Sequence, residues 1–436
     1  MLHQRHQKGA EAEQALVTFF AVAMALASMQ RATIAILAVP LQALLGLTMP
    51  QLGVLQAAVL VGYVAGQVPL GFLADRVGGP PVMLASLVAW SAVAAVTPLV
   101  GAARPAARLP LLVGARAALG LCQSCLMPAT SAMAAQWVPE GRRAHALATV
   151  YAGYSLGTVA GLLLTPALEA AFRWPAALHT FSVAGLAWSA WHWKRLPPGC
   201  LTTAPRPAAG ALEQGDHAMD VLAADPDVWT ASGQRQRTPV QVLLLCWTHA
   251  VIGFGFFALQ FWTPMILAER GVGDLRVLGL ASAGPWAAAA ALSVGAGRAS
   301  DRLQAALGWP RLRARRLVQG AASMGPALCL LPLALDPRAL SPAAAAACLT
   351  GAVASASLCY AGFHPYTLDV APRDAGKLLG LTNSCATLAG IAANVLAGVL
   401  GARAGGFGAM LGLTAALYAA SFATFAMFAR GRPVVL

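Results

Sequence analysis

Long apolar runs separated by short charged turns set the pattern of this chain. The runs read as approximately 15–39, 50–72, 80–101, 109–136, 144–168, 175–193, 239–267, 277–299, 315–335, 343–366, 378–400 and 406–429. Most are near the ~20 residues that cross the hydrocarbon core of a bilayer. They make twelve spans, six on either side of the only long polar segment, 194–238. That segment carries Pro197, Pro198, Pro205 and Pro207, then five acids between Glu213 and Asp227. It reads as a flexible linker rather than a domain. The expected organisation is a six-helix half over 1–193, a linker over 194–238 and a second six-helix half over 239–436.

The turns repeat. Gly71-Phe-Leu-Ala-Asp75-Arg76 ends one apolar run, and Gly297-Arg-Ala-Ser-Asp301-Arg302 ends another 226 positions later. Pro139 and Gly157 are 18 apart, as are Pro372 and Gly390, each pair beginning at a charged loop. Two copies at nearly one offset point to a duplicated membrane chain, an arrangement typical of transporters. Gly153, Gly157 and Gly161 recur every four residues and place a smooth stripe on one helix face. Such a stripe lets helices pack closely in lipid, and the same face could also slide in a rocking motion.

Composition agrees with the membrane reading. Of the 436 residues 58% are hydrophobic and 10% charged, against about 25% charged in soluble domains; the mean hydropathy is +0.66. The formal charge of +13 does not mark a nucleic-acid binder, because no basic stripe interleaved with aromatics is present. Instead the basic residues sit in loops. With a cytoplasmic N-terminus, twenty of the 29 fall on the inner side and seven on the outer, which places both termini in the cytoplasm. Seven of the eight cysteines lie in apolar runs, and Cys122-x-x-Cys125 has no second pair, so packing is its expected role. The first fourteen residues, with Glu11 and Glu13, read as neither a secretory signal nor a transit peptide.

Few ionisable side chains lie inside the spans once loop charges are set aside, and Arg31, Arg116, His249 and His364 are the candidates for chemistry among them. An arginine at the centre of a span costs about 2.5–3.5 kcal/mol on insertion scales. Arg31 and Arg116 lie in spans of opposite direction, each roughly 10–12 Å below the outer surface at ~1.5 Å per residue. Two cations at one depth would attract an anion, and a guanidinium fork suits carboxylate or phosphate oxygens; bonding to backbone carbonyls is the plainer alternative. His249 and His364 could titrate near neutral pH and pass a proton, or serve as neutral hydrogen-bonding partners. Tyr63, Gln56, Gln67, Gln260 and Asn383 are polar positions that could contact a substrate or join helices. Gly71, Asp75, Arg76, Gly297, Asp301 and Arg302 form the two gating candidates. A carboxylate at a helix end can accept from a facing helix N-terminus in one access state only, or form a static loop pair. No P-loop, paired metal ligands or nucleophile elbow occurs, so no enzyme activity, ATP drive, cofactor or metal is expected.

Gly71-Phe-Leu-Ala-Asp-Arg-Val-Gly-Gly resembles the signature loop of the major facilitator superfamily. Arg116-Ala-Ala-Leu-Gly-Leu-Cys-Gln-Ser-Cys-Leu-Met-Pro128, continuing to Trp137-Val-Pro-Glu-Gly-Arg-Arg143, is similar to the span-4 to span-5 signature of its anion:cation symporter family. Gln30-Arg-Ala-Thr-Ile-Ala-Ile-Leu37 and Asp369-Val-Ala-Pro-Arg-Asp-Ala-Gly-Lys-Leu-Leu-Gly-Leu-Thr-Asn383 agree. The resemblance covers nearly the whole chain except its tail and linker, and leans towards plant and algal plastid phosphate and ascorbate transporters. It implies anion binding at Arg31 and Arg116. Gln30, Gln56, Gln123 and Ile252 stand where relatives carry an acid, a histidine, a glutamate and an arginine. Those acids are absent here, which leaves the two histidines as titratable candidates.

The fold expected is therefore an all-α membrane protein of twelve transmembrane helices, a major facilitator with two six-helix pseudo-repeats around a central cavity. Its expected function is secondary transport of an anion, coupled to H+ or Na+ or driven by potential. Inorganic phosphate comes first as substrate, because the span-7 arginine that would hold a second carboxylate is missing. An organic anion such as ascorbate, glutamate or a sugar acid is the alternative, and a membrane receptor or scaffold without transport is a third reading. Export of cationic drugs is disfavoured by the lack of a mid-membrane acid. The expected partners are the small anion, the coupling cation and the lipid bilayer, with no nucleic acid, and a monomer is expected. The termini are stromal instead of cytoplasmic if the membrane is a plastid inner one.

Overall fold

The computed structural model describes residues 2–196, 239–336, 340–371, 375–403 and 406–431. Its elements are helices, as the apolar runs require, since only a helix or a closed barrel satisfies its backbone within a bilayer. They are α1 (Leu2–Leu45), α2 (Met49–Val77), α3 (Gly79–Val96), α4 (Pro105–Gln123), α5 (Leu126–Trp137), α6 (Glu140–Phe172) and α7 (Pro175–Trp193). After residues 197–238, where the linker expected at 194–238 lies almost wholly outside the described residues, follow α8 (Pro239–Glu269), α9 (Leu275–Leu307), α10 (Arg311–Leu335), α11 (Pro342–Ala356), α12 (Phe363–Val370), α13 (Ala375–Gly401) and α14 (Gly408–Phe428). This is a multi-pass, all-α membrane protein.

Eleven stretches among the described residues are long and apolar enough to span a bilayer. The sixth predicted span, α7, is helical over 19 residues. Trp188, Trp191 and Trp193, with His179 and His192, dilute its apolar character. Aromatic residues of this kind favour the membrane–water interface.

Two spans predicted as continuous are broken. The fourth stops at Gln123 and restarts at Leu126. The tenth stops at Ala356, passes through a 3-10 turn (Ser357–Tyr360) and restarts at Phe363. Each restarting helix has a proline at its third position, Pro128 in α5 and Pro365 in α12. Proline has no N–H for the carbonyl four residues back and its ring crowds that carbonyl. It is tolerated in a first turn, where N–H groups have no helical partner in any case. The same break thus occurs at the fourth span of each half.

The chain forms two compact units, Met1–Ala208 with Gly273–Ala283 and Ala209–Val272 with Gly284–Leu436. In the first, α1 packs on α6, α2 on α4 and α3 on α7. In the second, α8 packs on α13 and α10 on α14. First span on fifth and third on sixth is one scheme used twice.

Glycine makes these pairings close. A Cβ at Gly153, Gly157 or Gly161 would run into the backbone of Ala21, Ala25 or Met29 on α1. The stripe is therefore a packing surface. Gly253 meets Ala386 in the same way between α8 and α13. Between α2 and α4, Gly62 faces the Ala117 carbonyl and Gly120 the Val59 carbonyl. Loop chemistry fixes the ends. Thr48 and Gln51 form a capping box on α2, and Gly78, at φ 100°, turns the chain from α2 into α3. Asp274 accepts from the amides of Arg276 (2.8 Å) and Val277 (3.0 Å). Those bonds hold its carboxyl below the usual carboxylate range.

Candidate functional site

In the first unit the two arginines are buried, Arg31 at 4% and Arg116 at 2% exposure. Arg31 Nε donates to Gln123 Oε1 at 2.7 Å, and Gln123 Nε2 reaches back to the Ala27 carbonyl at 3.5 Å. Arg116 Nη2 donates to Gln56 Oε1 at 3.4 Å. The Arg31 guanidinium also lies 5.1 Å from the centre of the Tyr63 ring, a cation–π contact. Arg31 Nη2 is buried without a hydrogen-bond partner among the described residues.

Helix geometry explains why these groups meet. Gln56 and Tyr63 are seven residues apart on α2, and Arg116 and Gln123 seven apart on α4. Seven residues are close to two helical turns, so each pair shares a face. Gly62 and Gly120 let α2 and α4 touch along their backbones, which brings those faces together. The α1–α6 glycine contacts then fix α1, and with it Arg31. Four of the predicted substrate residues, Arg31, Arg116, Gln56 and Tyr63, form one cluster. Gln123 belongs to the same cluster by contact. The signal that could have found it is its two-turn spacing from Arg116.

The remaining predicted contacts are dispersed. Gln67 stands one turn beyond Tyr63 on α2 with a buried Oε1 that has no partner among the described residues. Gln260 is buried on α8 of the second unit. Asn383 is half-buried on α13, its carbonyl accepting from Thr387 Oγ1 at 2.9 Å.

The second unit brings the two histidines together. His249, on α8, is buried at 6% exposure, and its ring meets that of His364 edge-on with centroids 5.4 Å apart. Phe363 packs on His249 at 4.9 Å, and Tyr360 stacks on His364 at 5.3 Å. The break between α11 and α12 is what turns Tyr360, Phe363 and His364 towards α8.

The charged turns look different. Asp75 and Arg76 are exposed on the last turn of α2, and Gly71 lies against Pro128, at 3.8 Å from where a Cβ would stand. Gly297, Asp301 and Arg302 fall on the helical run of α9, but their side chains lie outside the described residues. Two ion pairs were not foreseen from the sequence: Arg142 with Glu13 at 2.5 Å in the first unit, and Arg315 with Asp369 at 3.0 Å in the second. No group of three or more metal-ligating side chains occurs among the described residues.

Comparison with known proteins bears on the family and the fold. The family model described as Major Facilitator Superfamily matches residues 20–394. A probable chloroplastic anion transporter of Arabidopsis thaliana is 32% identical over 96% of this chain and 80% of its own length. A chloroplastic sodium-dependent phosphate transport protein from the same plant is 30% identical over 88% of this chain and 71% of its own. Among solved structures, a bacterial homologue of the human lysosomal transporter Spinster aligns over 94% of this chain and 96% of its own, with a TM-score of 0.70 at 14% identity. That likeness concerns the fold.

Proposed function

Because the chain belongs to the Major Facilitator Superfamily, we propose that it is a secondary transporter moving a small anion by alternating access. The observation that carries this reading is the buried pair Arg31 and Arg116. Each donates to a glutamine amide, and one Arg31 nitrogen has no partner among the described residues. A neutral amide leaves the guanidinium charge in place, where a carboxylate would cancel it. In a water-poor site such a charge holds an anion strongly. Tyr63, Gln56 and Gln123 supply the further contacts, with Gln67, Gln260 and Asn383 as additional candidates.

Inorganic phosphate is the first substrate, since two guanidinium forks and amide donors satisfy a compact oxyanion. The phosphate relative supports this choice. The halves 1–193 and 239–436 act as the moving bodies with 194–238 as their linker. Asp75 and Arg76, with Gly297, Asp301 and Arg302, bias the two access states. Both termini lie on the side rich in basic residues, which is the stroma if the chain resides in a plastid inner membrane, as its chloroplastic relatives suggest. The protein works as a monomer in the lipid bilayer, without enzymatic activity.

The test is counterflow in liposomes preloaded with phosphate and challenged with labelled phosphate, ascorbate or glutamate. Phosphate counterflow is expected. Counterflow with ascorbate or glutamate but none with phosphate would move the assignment to an organic anion, and none with any of the three would favour a receptor.

A further inference from the structure

His249 and His364 are separated by more than a hundred residues of sequence, yet their rings touch inside the second unit. We propose that the two rings form a single-proton site, and that this one proton is the coupling ion of the transport cycle. The transport role rests on the anion reading above; the proton site itself does not.

The geometry argues for one proton rather than two. Two imidazolium rings in edge-on contact would repel, and interacting titratable groups take up protons as a unit. His249 Nδ1 is buried without a partner among the described residues, so this ring has a nitrogen still open to a proton or a ligand. Its neighbour His364 is half-buried. A proton therefore enters at His364 and can pass inward to His249, with no covalent change and no other reactant.

Among the described residues, the charged side chains near the pair have partners of their own. The 3-10 turn before α12 contributes Tyr360, stacked on His364. From α10 come Arg315, which is held by Asp369 at 3.0 Å and by the Ala361 carbonyl at 3.2 Å, and Arg316, which donates to the Ala429 carbonyl. Among titratable groups on α13, Cys385 faces Cys246 of α8, both as free thiols, and Lys377 is exposed. α14 carries Tyr418 as its one titratable side chain, and α11 carries no charged residue. Asp369 is thus the carboxylate nearest in sequence to the pair, and Arg315 already neutralises it. Proton affinity is left to the two rings.

The experiment has two arms. Nitrogen-15 histidine NMR of the full chain in nanodiscs follows proton uptake directly. Both ring signals should shift together over one titration, and either His249→Gln or His364→Gln should leave a lone ring with a different midpoint. Two independent titrations of a whole proton each, or no uptake by either ring, would overturn the site. The second arm measures phosphate uptake into proteoliposomes against an imposed proton gradient. Either single variant should lose gradient-driven accumulation, with the double variant no worse, while phosphate counterflow persists. Gradient-driven accumulation surviving in the double variant contradicts the proposal. If the unaltered protein shows no anion counterflow at all, the anion reading fails, and the NMR arm decides the proton site alone.

Discussion

The two units use one helix scheme for two kinds of charge. In the first, α1 packs on α6 and presents Arg31 to the faces of α2 and α4. In the second, α8 packs on α13 and presents His249 to the break before α12. Guanidinium stays charged at any physiological pH, whereas imidazole can gain and lose a proton. A fixed charge suits an anion that must be bound in every cycle. A switchable one suits an ion that must be taken up and released. The pairing scheme is shared between the units, and the buried charges are not.

Replacing Gln123 by glutamate should blur that difference most. A carboxylate beside Arg31 would cancel one fixed charge, and uptake at low phosphate should fall roughly 10–100-fold, the loss expected for a charge-assisted contact of about 1.5–3 kcal/mol. Gln123→Met, which leaves the charge uncancelled, should cost much less. Equal losses in the two variants would show that the amide itself matters more than the charge.

Packing offers a second way to separate the units. Gly157→Val would force a side chain against Ala25 and Ser28, and overpacking of this kind costs about 1–3 kcal/mol. Thermal unfolding in detergent should report it, with phosphate binding weakened as α1 shifts. Gly253→Val should destabilise to a similar degree through Ala386, but spare phosphate counterflow and impair gradient-driven uptake. Loss of counterflow in both variants would remove the distinction.

A smaller effect is expected at Asp75. Asp75→Asn should lower turnover more than apparent affinity, because the residue is exposed at the end of α2, away from the bonded arginine cluster. A collapse of affinity with turnover preserved would assign it to substrate binding. Smallest of all is Asp274→Ala. The carboxyl of Asp274 is held below its ordinary range by two amide bonds. Its contribution to stability is present above the unfolded-state value and is lost as pH falls through the depressed one. The variant should therefore melt slightly earlier at neutral pH, and match the unaltered protein at strongly acid pH.

Much of this was legible in the sequence because membrane spans are long and charges within them rare. Arg31, Arg116, His249 and His364 stand out against apolar neighbours, and the repeated Gly-x-x-x-Asp-Arg turns announce duplication. What escaped depends on contact across the chain. The meeting of His249 with His364 needs the break before α12, which Pro365 permits but does not locate by itself. The two-turn spacing from Arg116 puts Gln123 on the face of that arginine, but its bond to Arg31 depends on α1 lying beside α4. The ion pairs of Arg142 with Glu13 and Arg315 with Asp369 likewise join residues that no local pattern links.

The most direct test of the central claim is phosphate counterflow by Arg116→Ala and Arg116→Lys, compared with the unaltered protein in the same liposomes. The account predicts that alanine abolishes saturable counterflow while the folded protein is still recovered, and that lysine, a point charge without the planar fork, retains a fraction of it. Normal counterflow by Arg116→Ala at low phosphate would contradict it.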